Sequence, residues 1–167
     1  MNSLVIRTSK EDDAFAINGI ANWYIENTAV NFDTEAWSLE KRSEWVRSFN
    51  RSGEPWHLLV AVEDVALVGF ACNTRFRPKA AYSSTTETTV YIANDSHSRG
   101  YGGALYTALI ERIGKEDFHR ALGVITLPNP ASIALHEKMG FRQVGLFDEV
   151  GTKFGQYHTV AIYQKDL

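Results

Sequence analysis

Ser96-His97-Ser98-Arg99-Gly100-Tyr101-Gly102-Gly103-Ala104-Leu105 is the stretch on which the reading of this chain turns. Three glycines fall within four positions, directly after the strand-like run Thr88-Thr89-Val90-Tyr91-Ile92 and directly before a segment with helical spacing. Glycine lets a backbone turn sharply and lets a ligand come close, because no Cβ stands in the way. A turn that opens a helix aims unpaired N–H groups at one spot, where the helix dipole adds positive potential. That arrangement suits a phosphate or diphosphate. Two familiar templates fail. A P-loop needs Gly-Lys-Ser/Thr at the close of the run, and here Gly102-Gly103 leads into Ala104-Leu105. A dinucleotide fingerprint needs a third glycine where this chain has Tyr106 or Thr107. On this motif alone, a glycine-rich connection without any ligand stays open.

Outward from the loop, alternation and spacing predict the remaining elements. Leu4-Val5-Ile6-Arg7 reads as a first strand, and Asp12 or Asp13 as the cap of a helix that buries Ile17, Ile20, Ala21 and Tyr24. Ser38 reads as the N-cap of a second helix with Leu39, Trp45, Val46 and Phe49 inside. His57–Val62 and Ala66–Ala71 read as strands joined at Glu63-Asp64, and Thr85–Ile92 as the next strand. Gly103–Lys115 has helical spacing, with Leu105, Leu109, Ile110 and Ile113 on one side. Leu122–Leu127 is short, apolar and β-branched, as a buried parallel strand would be. A helix over Ala131–Met139 and two strands near Val144–Val150 and Tyr157–Tyr163 complete the chain. The expected fold is mixed α/β (α+β), with a βαβ unit near residues 85–127 and an antiparallel first half.

Composition narrows the function classes. A chain of 167 residues favours one domain, residues 1–167, with a real hydrophobic core. The net charge is −3 with no basic block, which argues against a nucleic-acid or polybasic membrane surface. Cys72 stands alone, so no intrachain disulfide is expected and a cytoplasmic setting is the simple reading. The start, Met1–Arg7, has no charged region ahead of a long apolar run, so no signal peptide is expected. No apolar run reaches the roughly 18 residues of a membrane-spanning helix.

The loop resembles motif A of the GNAT superfamily of acyl-CoA-dependent N-acetyltransferases, Gln/Arg-x-x-Gly-x-Gly/Ala. His97 stands at the Gln/Arg position, and Gly100 and Gly102 at the glycines. Leu127-Pro128-Asn129-Pro130-Ala131-Ser132 followed by Leu135-His136-Glu137-Lys138-Met139-Gly140-Phe141 is similar to the block that ends a GNAT core. Ala81-Tyr82, Glu87-Thr88-Thr89-Val90-Tyr91, Thr28-Ala29-Val30-Asn31-Phe32 and Gly151-Thr152-Lys153-Phe154-Gly155 resemble segments of the phosphinothricin and methionine sulfoximine acetyltransferase group, in that group's order. The resemblance implies a GNAT-like fold: a central, mostly antiparallel, twisted sheet with splayed core strands flanked by helices. It implies acetyl-CoA as cosubstrate, with its diphosphate on the main-chain amides of Ser98, Arg99, Gly100, Tyr101, Gly102, Gly103 and Ala104, and with His97 beside them. Arg99 could add charge. Val90 and Ile92 would offer backbone groups to the pantetheine arm. Asn129 and Ser132 would offer hydrogen bonds to the arm or the acetyl carbonyl, although the same residues also suit a helix entry.

Acetyl transfer to an amine requires a proton acceptor for the ammonium, polarisation of the thioester carbonyl and a fate for the departing thiolate. Glu87 is the expected base, with Thr85 and Thr89 on its face of the strand. Without the resemblance it would equally be an exposed strand carboxylate. His136 stands where many superfamily members carry a tyrosine, and could act as acid or as second base. A hydrogen-bonded structural histidine is its plain reading. No metal is expected, because His136-Glu137 does not belong to a HExxH pattern and no other histidine has ligand spacing.

For the acceptor, the resemblance points to Phe32, Arg77, Lys79, Tyr82 and Lys153. Arg77 and Lys79 would hold an anionic group, with lysine where arginine is usual and the acid Asp33 just after Phe32. The implied partner is a small amine such as the α-amine of an amino acid or its analogue. Dimers are frequent in the resembled group, and a homodimer is expected on that basis only. Transfer to a protein N-terminus or a polyamine, and a non-catalytic acyl-CoA-binding module, remain the alternatives.

Overall fold

The computed structural model describes residues 4–167; Met1-Asn2-Ser3, the head of the segment read as lacking a signal peptide, lies outside them. Along the chain run β1 (Leu4–Thr8), α1 (Ala14–Asn27), α2 (Leu39–Arg47), β2 (Leu58–Glu63), β3 (Ala66–Arg75), β4 (Thr85–Ile92), α3 (Tyr101–Ile113), β5 (Arg120–Thr126), α4 (Pro130–Lys138), β6 (Arg142–Lys153) and β7 (Gln156–Asp166). The strands form a seven-stranded sheet in the order β1-β2-β3-β4-β5-β7-β6. Neighbours are antiparallel except β4 and β5, which are parallel.

Alternation along the strands sends side chains to two separate cores. On one face α3 packs Leu105, Tyr106, Leu109 and Ile113 against Leu59, Ala61, Ala121, Ile125 and Tyr163. On the other face α1 and α2 pack Ile17, Ile20, Tyr24 and Val46 against Leu58, Val60, Phe70 and Cys72. Burial pushes the Cys72 thiol up to about 12, so it is an inert core residue.

The parallel pair is short. β4 and β5 are in register only from Thr85↔Arg120 to Thr88↔Gly123. Beyond that point β4 stays with β3 as far as Ile92, and β5 stays with β7 as far as Thr126. The two strands therefore part company in the middle of the sheet. The opening begins after Thr88, which still pairs with Gly123. Thr88 also fastens the fork, since its hydroxyl donates to the Leu122 carbonyl (2.9 Å) and so receives the proton of Tyr106 Oη (2.8 Å).

Several boundaries differ from the sequence reading, for local reasons. Asp13 precedes α1 but its carboxylate does not cap it; it accepts from the Lys10 amide (2.7 Å) and pairs with Arg7, finishing a short 3₁₀ turn instead. Ser38 does cap α2, accepting from the Lys41 amide at 3.2 Å, an interaction worth about 1 kcal/mol. Leu39 is exposed rather than buried, and Arg42 takes the inner position, its guanidinium 4.1 Å from the Trp37 ring and 5.0 Å from the Trp45 ring. The turn after β2 is Asp64-Val65, one residue later than read. α3 starts at Tyr101 rather than Gly103, because left-handed Gly100 (φ +82°) ends the loop there. Gly151, Thr152 and Lys153 belong to β6, and only Phe154-Gly155 turns, both with positive φ as a type I′ hairpin requires.

Lys153 is the clearest correction to the expected site. Its side chain is buried and its ammonium donates to the carbonyls of Ile25 (2.6 Å) and Asn31 (2.7 Å). It pins the end of α1 and the following loop to the hairpin and does not line the cavity described below. Lys153→Met should leave two carbonyls unpaired at roughly 1–3 kcal/mol, lowering the melting temperature by about 2–4 °C per kcal/mol for a chain of this size. Calorimetry showing an unchanged melting temperature would refute the tie.

Candidate active site

A cavity of about 710 Å³ runs through the fork between β4 and β5. Its wall draws on both faces of the sheet. Glu87, Thr89 and Tyr91 come from one side of β4, and Thr88, Val90 and Ile92 from the other. At one end lie His97, Ser98, Gly100, Tyr101 and Gly102 of the loop and the start of α3. Asn129, Ala131, Ser132, Leu135 and His136 come from the start and inner face of α4, and Asn31, Phe32, Phe76, Phe147 and Val150 also line it.

The loop is built to receive an anion. Ser98 (φ 63°) and Gly100 (φ +82°) both take left-handed conformations, which fold the chain back toward the first turn of α3. The main-chain amides of residues 98–103 find no acceptor among the described residues; Ala104 makes the first helical bond, to the Gly100 carbonyl at 3.2 Å. Gly103 has no neighbour that a Cβ would meet, and at Gly102 a Cβ would meet only Ile92 and Leu135 at an ordinary 3.6 Å. The protein itself does not forbid side chains there. The bare backbone serves something that approaches from outside, which fits a diphosphate.

Two expected contributors are already engaged. Arg99 makes a two-pronged ion pair with Glu63 (2.8 Å each), and Tyr101 Oη donates to the same carboxylate. The Arg99 charge is thus held beside the loop by β2, not free for phosphates. Tyr24 Oη donates to the Ile92 carbonyl at 2.7 Å. Its only proton is used there, so in its 2.8 Å contact with His97 the Nε2–H of His97 is the donor. His97 still borders the cavity, and Tyr24 ties the loop to the rim of β4.

Glu87 is half-buried, and that burial raises its carboxyl above the ordinary carboxylate range. Its neighbours Thr86 and Thr88 point the other way and are buried, Thr86 bonded to the Thr74 carbonyl and to Asn73. His136 is buried on the α3 face, within 5.1 Å of the Tyr106 and Phe141 rings. Burial holds its pKa below the ordinary value. Asn129 caps α4, its Oδ1 accepting from the Ser132 amide at 3.1 Å, so the helix-entry reading is realised in residues that also line the cavity.

The expected acceptor residues divide. Phe32 lines the cavity and packs so closely on Gly151 that a Cβ there would overlap its ring. Arg77, Lys79 and Tyr82 are exposed and do not line it; Arg77 lies over the Phe76 and Tyr82 rings. Phe76 reaches the wall in their place. Sequence reading missed Tyr24, Asn31, Phe76, Phe147 and Val150. Tyr24 sat in an ordinary helical core pattern, and Phe147 and Val150 in a strand whose opposite face was unknown. Among the described residues no group of three or more His, Cys, Asp or Glu side chains is placed to hold a metal ion.

Comparison with known proteins agrees with this geometry. Residues 6–160 match the model of the acetyltransferase (GNAT) domain, and the chain belongs to that family. It is 40% identical over 164 residues to the phosphinothricin N-acetyltransferase of Streptomyces coelicolor, covering 97% of this chain and 95% of that protein. It is 32% identical over 166 residues to the L-methionine sulfoximine/L-methionine sulfone acetyltransferase of Pseudomonas aeruginosa, covering 99% and 95%. Among solved structures it resembles a phosphinothricin acetyltransferase from Sinorhizobium meliloti in complex with AcCoA, with a TM-score of 0.92, 26% identity, and coverage of 98% of this chain and 88% of that one.

The loop's role can be separated from folding. Because Gly102 has ordinary room for a Cβ, Gly102→Ala should leave the melting temperature nearly unchanged while weakening coenzyme A binding, by about tenfold or more where one diphosphate hydrogen bond to an amide is lost. Isothermal titration with coenzyme A checks this; equal affinity in both proteins would rule out the amide cradle.

Proposed function

We propose that this GNAT acetyltransferase moves an acetyl group from acetyl-CoA to the α-amine of a small amino acid or an analogue of the phosphinothricin or methionine sulfoximine kind. The observation that carries the proposal is the run of unbonded amides at residues 98–103 beside a fork in the sheet. Acetyl-CoA supplies the activated acyl group. The amides of Ser98–Gly103 would hold its diphosphate. The uncovered edge of β4 at Val90 and Ile92 would take the arm as a further strand, with the Ile92 carbonyl shared with Tyr24. Asn129 and Ser132 border the same path.

Glu87 is the group for the acceptor end. It shares the cavity lining with Phe32, Phe76 and Asn31, and comes from the sheet face opposite α3. Burial raises its carboxyl, and a raised carboxyl is a stronger base than an ordinary one, which suits removal of the ammonium proton. Arg77, Lys79 and Tyr82 follow Phe76 in the segment between β3 and β4 and are exposed, outside the cavity lining. They remain the proposed anion-holding group for the acceptor's carboxylate or phosphinate.

A homodimer belongs to the same proposal. β6 is an edge strand, and its Val144, Leu146, Phe147 and Val150 are exposed, an apolar row that water does not favour. Phe147 and Val150 also border the cavity, so a second copy there would flank the acceptor end. Sedimentation velocity should give twice the chain mass; a monomer at micromolar concentration would remove this part.

Incubation with acetyl-CoA, a thiol reagent and a panel of amino acids should release free thiol with methionine sulfoximine or phosphinothricin. Release with no amine would favour the acyl-CoA-binding module instead. Glu87→Gln should lower kcat by roughly 10²–10⁴-fold while coenzyme A affinity stays as in the parent; an unchanged kcat would take Glu87 out of the chemistry.

A further inference from the structure

Strand β6 leaves the regular pleat where it borders the cavity. Phe147 pairs with Val160 and Gly151 with His158, so residues 148–150 stand opposite the single residue Thr159. In β7, Ala161 and Tyr163 belong to the core packed by α3, so Val160 and Ile162 take the other face of the sheet. The hydroxyl of Thr88 meets Tyr106 of α3, so its neighbour Glu87 takes that other face too. Phe147, directly opposite Val160, shares it. In an unbroken strand Val150, three positions further on, would point the opposite way. Both residues nevertheless line the cavity. The extra residues turn Val150 back, and Glu149 makes the reversal in the left-handed region (φ 48°).

One hydroxyl closes this bulge. Thr159 Oγ1 donates to Asp148 Oδ1 at 2.8 Å and accepts from the Glu149 amide at 3.2 Å. Asp148 and Glu149 are exposed, so their side chains have no core packing to hold the segment. Thr159 itself is fixed to the sheet, since its carbonyl accepts the Leu127 amide at 2.9 Å just past β5. The bulge therefore hangs from a fixed strand by the two uses of one side chain. It ends on Gly151, where the Phe32 ring lies on bare backbone, 6.2 Å from the ring of His158 across the pair. Phe147, Val150 and Phe32 come from distant parts of the chain, and the bulge brings them into one apolar wall of the cavity that Glu87 also lines.

Resting on the transferase reading, we propose that the stapled bulge of β6 shapes the seat of the acceptor's side chain, and that Thr159 is its positioning residue. The amine goes to Glu87, and an apolar end of the side chain lies against Phe32, Phe147 and Val150. Thr159 touches neither acceptor nor cosubstrate. It acts by deciding where Val150 and the Gly151 seat stand. A bulge on an edge strand can also serve only to keep the edge from pairing with another strand, and that use would be indifferent to the acceptor.

Steady-state kinetics and titration of the full protein separate the two uses. Thr159→Val keeps the size of the side chain and removes both hydrogen bonds, whereas Thr159→Ser keeps the hydroxyl. With methionine sulfoximine as acceptor, Thr159→Val should raise KM roughly tenfold, the size of one displaced methyl contact in an apolar pocket. Its kcat should fall by less than about twofold, because the lost contact is made equally in ground and transition states. Coenzyme A affinity by isothermal titration should stay as in the parent, and Thr159→Ser should restore KM. Asp148→Ala, which removes the exposed acceptor of one of the two bonds, should raise KM by less. A parent KM in both Thr159→Val and Asp148→Ala would overturn the proposal and leave the bulge an edge guard. A rise in KM that Thr159→Ser shares would overturn it, and so would a rise that comes with a changed sedimentation coefficient, which places the effect in the assembly of copies. A parent protein that acetylates no amine would sink the transferase reading itself, and this seat with it.

Discussion

The site exists because two parallel strands stop bonding to each other halfway along. β4 and β5 share only the register from Thr85↔Arg120 to Thr88↔Gly123, and each then remains with its outer neighbour. A sheet interior normally satisfies every main-chain group. Here the strand edges past Thr88 and Gly123 are left facing a cavity, within the fold yet reachable from outside. Thr88 and Tyr106 hold the fork at that step, so its position is set by side chains and not by strand ends alone. The fork also connects the two faces of the sheet. That is how a carboxylate from one core and an imidazole from the other come to serve one cavity.

Polar groups around the cavity are mostly assigned to fixed partners, and the few that are not stand out. Arg99 and Tyr101 share Glu63, Tyr24 bridges the Ile92 carbonyl and His97, and Asn129 caps α4. The amides of residues 98–103 and Nε2 of His136 lack partners among the described residues. A fold that satisfies its own groups so fully leaves only the ones that a ligand must answer. The glycines follow the same logic. Gly102 and Gly103 are bare on the side where a ligand approaches, whereas Gly123 and Gly151 are bare because His136 and Phe32 already occupy the space.

Much of this was legible in the residues themselves. The strand Thr85–Ile92 was placed to the residue, because alternating Thr and β-branched residues leave little choice there. The glycine run marked the left-handed turn at Gly100 and the start of α3 to within two residues, through backbone freedom alone. Leu122–Leu127 announced a buried parallel strand through its unbroken apolar character. What stayed hidden depended on partners distant in sequence. Lys153 read as a pocket cation, and only the positions of Ile25 and Asn31 reveal two carbonyls waiting for it. Arg99 read as a phosphate ligand until β2 brought Glu63 to it. Leu39 and Arg42 exchanged places because Trp37 and Trp45 form an aromatic slot that takes a cation better than a leucine. Gly123 carried no sequence signal at all, since its meaning lies in an imidazole from another element.

The Lys153 tie also orders events in time. Its ammonium grips carbonyls 128 and 122 residues earlier in the chain, whereas the left-handed turn at Ser98 and Gly100 is set by local backbone conformation. Closing so long a loop is entropically slow compared with forming a local turn. During synthesis the end of the first helix and the loop behind it therefore lack this tie until the closing hairpin has left the ribosome.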